Sequence, residues 1–182
     1  MAGGIDYSEN KFKELVLYVA NRSLDDQFFG KTKLNKLLYF SDFQSFRQYG
    51  ISITGAVYQH LPQGPCPQKM LPVLKALEAD DEIAIIPEDV AGMNQERIVA
   101  LRKPRIEFFT KEEVVVVEEV LTLLRKLTNT QASERSHVTM SWKLTRNQQE
   151  IPYGAALISS AEPSEDDLMW LEGVDSDGLV EA

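Results

Sequence analysis

Cysteine is nearly absent from this sequence, since Cys66 is the only one among 182 residues. One cysteine cannot form an internal disulfide, which favours a reducing compartment, and we expect the cytoplasm. Long apolar runs are also missing, because none approaches the roughly 18 residues that cross a membrane. The first residues lack the basic and then apolar pattern of a signal peptide. We therefore expect a soluble protein without membrane contact.

Residues with recognisable chemistry are equally scarce. The two histidines, His60 and His137, and the lone cysteine are too far apart in sequence for the close ligand pairs of a zinc site. Glycine-rich phosphate loops of the GxGxxG or GxxxxGK type do not occur. We expect no metal, no cofactor and no enzyme. An enzymatic alternative would need Cys66 and His137 as nucleophile and base.

Negative charge is concentrated at one end of the chain. The net charge is −9, but residues 162–182 contain eight acids and no base, and the preceding residues carry 20 acids and 19 bases. The body therefore lacks the basic excess that phosphate binding requires, and direct nucleic-acid binding is not expected. We divide the chain into a folded domain, 1–161, and an acidic C-terminal tail, 162–182.

The segment 31–49, KTKLNKLLYFSDFQSFRQY, organises the predicted fold. It contains no proline, and Gly50 follows it where a left-handed residue usually ends a helix. Apolar residues occupy almost every side of this helix, which is typical of a helix buried by neighbours on several sides. With 43% hydrophobic residues, the chain is expected to form a compact, predominantly helical α+β domain around this helix, with a small antiparallel β element.

Polar residues on the central helix lead to two further expectations. Lys33, Lys36 and Arg47 lie within about 60° on a helical wheel and predict one narrow stripe exposed to solvent. Asp42 lies opposite that stripe, and a carboxylate on a buried helix face must be hydrogen-bonded or paired. A structural bond from Asp42 to a loop amide or an arginine is the favoured interpretation, and a recognition contact is the alternative.

The remaining segments predict the elements that cover this helix. Ser8 is a suitable cap for the first helix, and Thr110 with Glu113 forms a capping box for a later one. Pro72 favours a start near Leu71 for the helix that could otherwise begin at Pro67. Helices are predicted at 9–21, 67–79, 110–126 and 133–141, a stiff proline-rich turn at 62–67, a hairpin from 82–87 and 97–101, a strand at 51–61, and a strand or buried segment at 151–159.

The acidic tail contains one short apolar run, Leu168–Leu171. This run is too short to form a core of its own and must dock on the body or on a partner. Two alternatives remain open for the tail: disorder, or a short partner-docking helix that begins at Ser164. Trp170 is therefore a candidate partner contact.

Three motifs occur in a fixed order along the chain. They are KLNKLLYFSDF followed by YG, ITGAVYQHLPQGPCP before a helix, and SHVTMSWKLT followed by IPYGAAL. Across most of residues 8–160 their order and spacing resemble the Panacea domain, the antitoxin domain of SocA-like bacterial and phage proteins. The resemblance implies a compact, mainly helical domain with a small β element and no catalytic role.

The same resemblance implies that a cognate protein toxin is the partner and that this antitoxin neutralises it by direct binding. SocA-like members can instead act as proteolytic adaptors that deliver a toxin to a ClpXP-type protease, which is the alternative function. A transcriptional autoregulator is disfavoured because the body lacks a helix-turn-helix charge pattern. The candidate partner-binding residues are the matching positions Lys36, Tyr39, Asp42, Gly64, Pro65 and Trp142, for which a role in the fold is the alternative, together with Trp170 of the tail.

Overall fold

A computed structural model describes residues 6–90 and 92–158 of the chain. Within these residues the helices are α1 (Glu9–Arg22), α2 (Lys31–Tyr49), α3 (Met70–Ala79), α4 (Lys111–Leu124), α5 (Asn129–His137) and α6 (Met140–Lys143). The strands are β1 (Tyr58–Leu61), β2 (Gly64–Pro67), β3 (Ile83–Val90), β4 (Met93–Ala100) and β5 (Glu150–Ile151), and short 3-10 helices cover Ile106–Phe108 and Tyr153–Leu157. This α+β, mainly helical architecture confirms the predicted fold class. No helix of the described residues is long and apolar enough to cross a membrane.

Helix α2 lies at the centre of the domain, as predicted. It ends at Gly50, whose φ of 74° is left-handed and whose amide donates to Phe46 O. The helix packs against α1, α4, α5, β2, β4 and the last 3-10 helix. Leu34, Leu37 and Leu38 on one side are fully buried. The prediction of a helix surrounded by its neighbours is confirmed.

The predicted solvent-exposed stripe of α2 is wrong for two of its three residues. Lys33 and Lys36 are 0% and 1% exposed, and only Arg47 faces solvent. Lys33 Nζ forms an ion pair with Asp26 and donates to the carbonyl oxygen of Leu127 at 2.7 Å. Burial lowers the pKa of Lys33, although the Asp26 carboxylate opposes this change. Acceptors from other parts of the chain therefore satisfy lysines that the helical pattern alone assigns to solvent.

The predicted caps of α1 and α4, two helices that pack against α2, are present. The Ser8 side chain accepts from the Lys11 amide at the start of α1. Thr110 and Glu113 form the reciprocal capping box of α4. Helix α3 begins at Met70, so Pro72 lies in its first turn, where a missing amide breaks no helical hydrogen bond.

The β element nearest α2 differs from the prediction. Residues 51–57 are irregular, and only Tyr58–Leu61 of the predicted strand 51–61 pairs with neighbours. The proline-rich segment is not only a turn, because Gly64–Pro67 forms the edge strand β2 of a sheet with the order β2-β1-β5. The carbonyl of Pro65 points to Lys36 rather than to β1. Proline is tolerated there because the backbone of this edge-strand position faces away from β1 and needs no amide donor for the sheet.

The remaining elements complete two sides of the domain. Strands β3 and β4 form the predicted hairpin, which extends closer to its turn than the sequence indicates. The predicted helix at 133–141 is instead two helices, α5 and α6, separated at Val138 and Thr139. Of the predicted segment 151–159, Ile151 ends β5 and a 3-10 helix follows. The boundary at 161, the tail 162–182 and Trp170 lie outside the described residues.

Candidate partner-binding site

Asp42 anchors the loop after α2 to the middle of that helix. Its buried carboxylate accepts hydrogen bonds from the Thr54 amide at 2.7 Å, the Thr54 hydroxyl at 2.5 Å and the Tyr58 hydroxyl at 2.7 Å. Burial raises the pKa of Asp42, and the bonds from Thr54 and Tyr58 act in the opposite direction. The favoured prediction of a structural bond to a loop amide is confirmed.

Lys36 and the Gly64–Pro65 segment hold β2 against α2. Lys36 Nζ donates to Pro65 O at 3.2 Å, and burial lowers the pKa of this lysine to about 8. Gly64 has a φ of 100°, and a Cβ added there would lie 2.6 Å from both Lys36 Cε and Ser136 Oγ. Only glycine fits this position, because the backbone is left-handed and the space is already filled.

Tyr39 connects α2 to the segment between α5 and α6. Its ring is 1% exposed and its hydroxyl lies 3.1 Å from Thr139 Oγ1. The ring contacts Phe43 and Tyr58, with centroid separations of 4.4 and 5.6 Å. Phe43 in turn stacks on Tyr153 of the last 3-10 helix at 4.6 Å. This aromatic cluster fixes the distance between α2 and the end of the described chain.

Trp142 lies between two histidines. Its indole stacks on His60 of β1 at 3.2 Å and on His137 of α5 at 4.4 Å between ring centroids. Burial lowers the pKa of both histidines. His60 Nδ1 is 3.0 Å from Thr145 Oγ1. The stack joins the first sheet to α5 and α6, so half-buried Trp142 holds these elements together.

The structure therefore brings six of the seven candidate residues together around one side of α2. Lys36, Tyr39, Asp42, Gly64 and Pro65 are buried, and Trp142 is half-buried. Their described contacts are with one another, with α2, β1 and α5, and with the loop that follows α2. Their part in partner binding stays a prediction, and it is compatible with a supporting role beneath the surface.

The surface above this scaffold is an open groove of about 760 Å³, here called the α2–α6 groove. Its walls are the C-terminal half of α2, Leu123 of α4, the α5–α6 segment and the end of the last 3-10 helix. Large apolar side chains are open to solvent along it: Val138 is 60%, Ile158 48% and Leu123 43% exposed. From Leu123 the apolar surface continues along α4 to Val115.

Positive charge borders the α2–α6 groove. Arg47 of α2 and Arg135 of α5 line it, and both are exposed. No ion pair among residues 6–90 and 92–158 involves either arginine. An apolar floor with cationic borders suits a protein segment that carries apolar and acidic side chains.

Of the residues that line this groove, sequence reasoning proposed only Tyr39 as a partner contact and missed the exposed ones. Arg47, Val138 and Ile158 come from three separate elements, and no motif links them. Val138 follows α5 directly, and a capping box at Thr128 and Gln131 marks where that helix begins. That signal was available in the sequence and would have placed α5 correctly.

A second groove of about 550 Å³ lies between the N-terminal end of α2 and the β3–β4 hairpin. Its lining is polar and includes Lys31, Asn35 and the carboxylates of Glu88, Asp89 and Glu96. Among the described residues that line it, there is no large exposed apolar side chain like those of the α2–α6 groove. We therefore take the α2–α6 groove as the candidate binding surface.

The residues of the enzymatic alternative do not form an activated pair in the described part of the chain. Burial raises the pKa of the Cys66 thiol, which disfavours the nucleophilic thiolate. The Cys66 Sγ contacts Pro67 O at 3.6 Å, while the His137 ring stacks on Trp142. Among the described residues no group of three or more His, Cys, Asp or Glu side chains is placed to hold a metal ion.

Comparison with protein families places most of the described domain in one of them. The model of the family described as "Antitoxin SocA-like, Panacea domain" matches residues 34–143, which is more than half of the chain. The matched range begins in α2 and ends with α6, so it includes the buried scaffold and most of the α2–α6 groove. No curated protein and no solved structure matches the chain.

Proposed function

Because the chain belongs to the family of SocA-like antitoxins with a Panacea domain, we propose that it neutralises a cognate protein toxin by binding it directly. The proposed partner is another protein, and the domain acts without catalysis and without a cofactor. The proposed location is the cytoplasm, where the single cysteine stays reduced.

The α2–α6 groove is the observation that carries this proposal. Val138 and Ile158 expose about half or more of their surface beside two arginines. Exposed apolar side chains that form one continuous surface commonly mark a protein interaction site. Binding there removes this apolar surface from water, and a few central anchors provide most of the affinity.

Neutralisation follows if the bound antitoxin covers a surface that the toxin needs. A standard protein interface buries roughly 800 Å² on each partner, which is enough to cover an active site or a substrate-binding surface. We assign Val138, Ile158 and Leu123 as apolar contacts of this interface. Arg47 and Arg135 border it and orient an acidic edge of the toxin.

The six candidates from the sequence motifs then act mainly through the groove. Tyr39 forms part of its floor, and Asp42 fixes the loop that supports Tyr58 behind that floor. Lys36, Gly64 and Pro65 hold β2 against α2 and α5. We propose that they position the binding surface and that Trp142 keeps α6 in place beside it.

The acidic tail, 162–182, is assigned to the same function. Its eight acids and no base favour a basic toxin surface, such as one that binds nucleic acid or nucleotides. Trp170 is the proposed apolar anchor of this segment. If removing residues 162–182 leaves toxin binding unchanged, the tail has no part in it.

Co-expression with the product of the adjacent gene tests the proposal. The adjacent protein should stop growth alone, and the tagged antitoxin should restore growth and co-purify with it. The same rescue should occur in a strain that lacks the ClpXP protease, because direct binding needs no degradation. Rescue that requires the protease and leaves no toxin to purify would instead indicate the adaptor function.

The enzymatic alternative has a separate test. Cys66→Ser combined with His137→Ala removes its nucleophile and its base. Direct binding predicts that the double variant still rescues growth, provided that it folds. Loss of rescue in a folded double variant that still binds the toxin would support enzymatic neutralisation.

A further inference from the structure

The α2–α6 groove lies at the point where the described chain ends. Ile158 is the last described residue, and it lines the groove. The sequence continues with residues 159–182. The groove is therefore an apolar surface directly beside the point from which this segment continues.

The composition of that segment is complementary to the groove. Leu168, Met169, Trp170 and Leu171 form an apolar run, and Glu165, Asp166, Asp167 and Glu172 flank it. The groove offers the reverse arrangement, with exposed apolar side chains between Arg47 and Arg135. Apolar contacts and opposite charges thus coincide along the same short stretch.

We propose that residues 165–172 fold back and occupy the α2–α6 groove of the same molecule when no toxin is bound. Leu168–Leu171 cover Val138 and Ile158, and the flanking carboxylates pair with Arg47 and Arg135. This contact covers apolar surface that would otherwise face water in the free protein.

The segment between Ile158 and Leu168 is long enough for this contact. Ten residues lead from Ile158 to Leu168, and an extended chain of that length spans up to about 35 Å. A segment tethered through so few residues has an effective concentration in the millimolar range. Even a segment that binds weakly as a separate peptide is therefore held on the groove for much of the time.

The regulatory meaning of the contact rests on the proposed function. If the toxin binds the α2–α6 groove, it must first displace residues 165–172. The released carboxylates are then available to a basic toxin surface. The tail would thus cover the groove before the toxin binds and add contacts to the toxin afterwards.

Disulfide trapping in the full-length chain tests the contact directly. Cys66→Ser removes the native thiol, and Val138→Cys with Met169→Cys places one thiol in the groove and one in the tail. The matched control combines Met169→Cys with Leu71→Cys, an exposed position on α3 away from the groove. Formation of the intramolecular disulfide is followed in dilute protein by mass spectrometry after thiol alkylation.

The proposal predicts that the groove pair forms its disulfide about tenfold or more faster than the control pair. Added salt should slow the groove pair, because the flanking ion pairs are exposed. A second pair, Arg47→Cys with Glu172→Cys, uses exposed positions and should also form faster than the control. Equal rates for both groove pairs and the control would overturn the proposal. Disulfides that form only between two molecules would also overturn it, because they would indicate that the tail of a second copy occupies the groove.

This measurement contains no toxin, so its failure is distinct from failure of the proposed function. Slow trapping together with growth rescue would reject the tail contact and keep direct neutralisation. Fast trapping without any toxin binding would keep the tail contact and reject the proposed function.

Discussion

Replacing Lys36 by methionine should stabilise this protein near neutral pH. Lys36 is 1% exposed, and the hydrogen-bond acceptor of its ammonium group among the described residues is the Pro65 carbonyl at 3.2 Å. No carboxylate forms an ion pair with it within residues 6–90 and 92–158. Burial of this charge is therefore only partly compensated, and methionine retains most of the side-chain volume without the charge.

The size of the effect follows from the pKa of Lys36. Burial lowers it from 10.5 to about 8, and a difference of one in pKa corresponds to about 1.4 kcal/mol. At pH 7 the charged form therefore costs about 3 kcal/mol of folding free energy. Methionine removes this cost but also loses the bond to Pro65, which is worth about 1 kcal/mol. The net gain is about 2 kcal/mol, or a rise of about 4–8 °C in Tm for a chain of this size.

The pH dependence distinguishes this explanation from simple repacking. Between about pH 8 and 10.5 the unfolded chain binds the lysine proton and the folded chain has lost it, so wild-type stability gains from rising pH. The advantage of the methionine variant should shrink across this range. The raised pKa of Cys66 produces the opposite trend, and the Lys36 charge lowers that pKa in the wild type only. Both proteins are therefore compared in the presence of Cys66→Ser, which removes this contribution.

Thermal and urea unfolding of Lys36→Met and wild type from pH 6.5 to 10 measure this difference. Lys75→Met, at an exposed position of α3, is the matched control and should change stability by less than about 0.5 kcal/mol at every pH. The reasoning is refuted if Lys36→Met is less stable than wild type at pH 7 and the difference does not vary with pH. A separate measurement asks whether folded Lys36→Met still neutralises the toxin. If it does, Lys36 supports the fold and does not contact the partner.

Three further substitutions test the scaffold and the groove. Gly64→Ala should lower the free energy of unfolding in urea by about 3 kcal/mol, because the φ of Gly64 is left-handed and buried atoms fill the space around it. Gly50→Ala is the control: its φ of 74° is also left-handed but the space is open, and it should cost about 1 kcal/mol. Equal costs would contradict the crowding at Gly64. Asp42→Asn should lower the free energy of unfolding by about 2–4 kcal/mol, since an amide donor would face groups that now donate to the carboxylate. An unchanged urea midpoint would show that Asp42 does not stabilise the fold. Val138→Asp should weaken toxin binding by about tenfold or more in calorimetric titration with little loss of stability. Leu71→Asp, at an exposed position outside the groove, should bind like wild type, and equal weakening by both would move the interface elsewhere.

Local signals in the sequence were sufficient for the main helices. The absence of proline in 31–49 predicted an uninterrupted α2 and Gly50 predicted its C-terminal end, because these features act through the backbone of the helix itself. The reciprocal hydrogen bonds of Thr110 and Glu113 likewise depend on residues three apart. Such features need no knowledge of the tertiary fold.

Errors arose where distant parts of the chain decide the outcome. Lys36 is buried because Pro65, far along the chain, supplies its acceptor, and a helical wheel contains no such information. Strand β2 forms despite its prolines because it pairs only with β1 along one edge. The α2–α6 groove combines Arg47, Val138 and Ile158 from separate elements. Its existence follows from packing, so only the structure reveals it.

Inhibition of the purified toxin by the purified antitoxin tests the central claim most directly. The toxin's activity is titrated with full-length protein in the absence of any protease or ATP, and Val138→Asp serves as the groove variant. Direct neutralisation predicts full inhibition by wild type, with a higher concentration needed for Val138→Asp. Undiminished toxin activity that falls only when a ClpXP-type protease and ATP are added would contradict direct neutralisation and identify the protein as an adaptor.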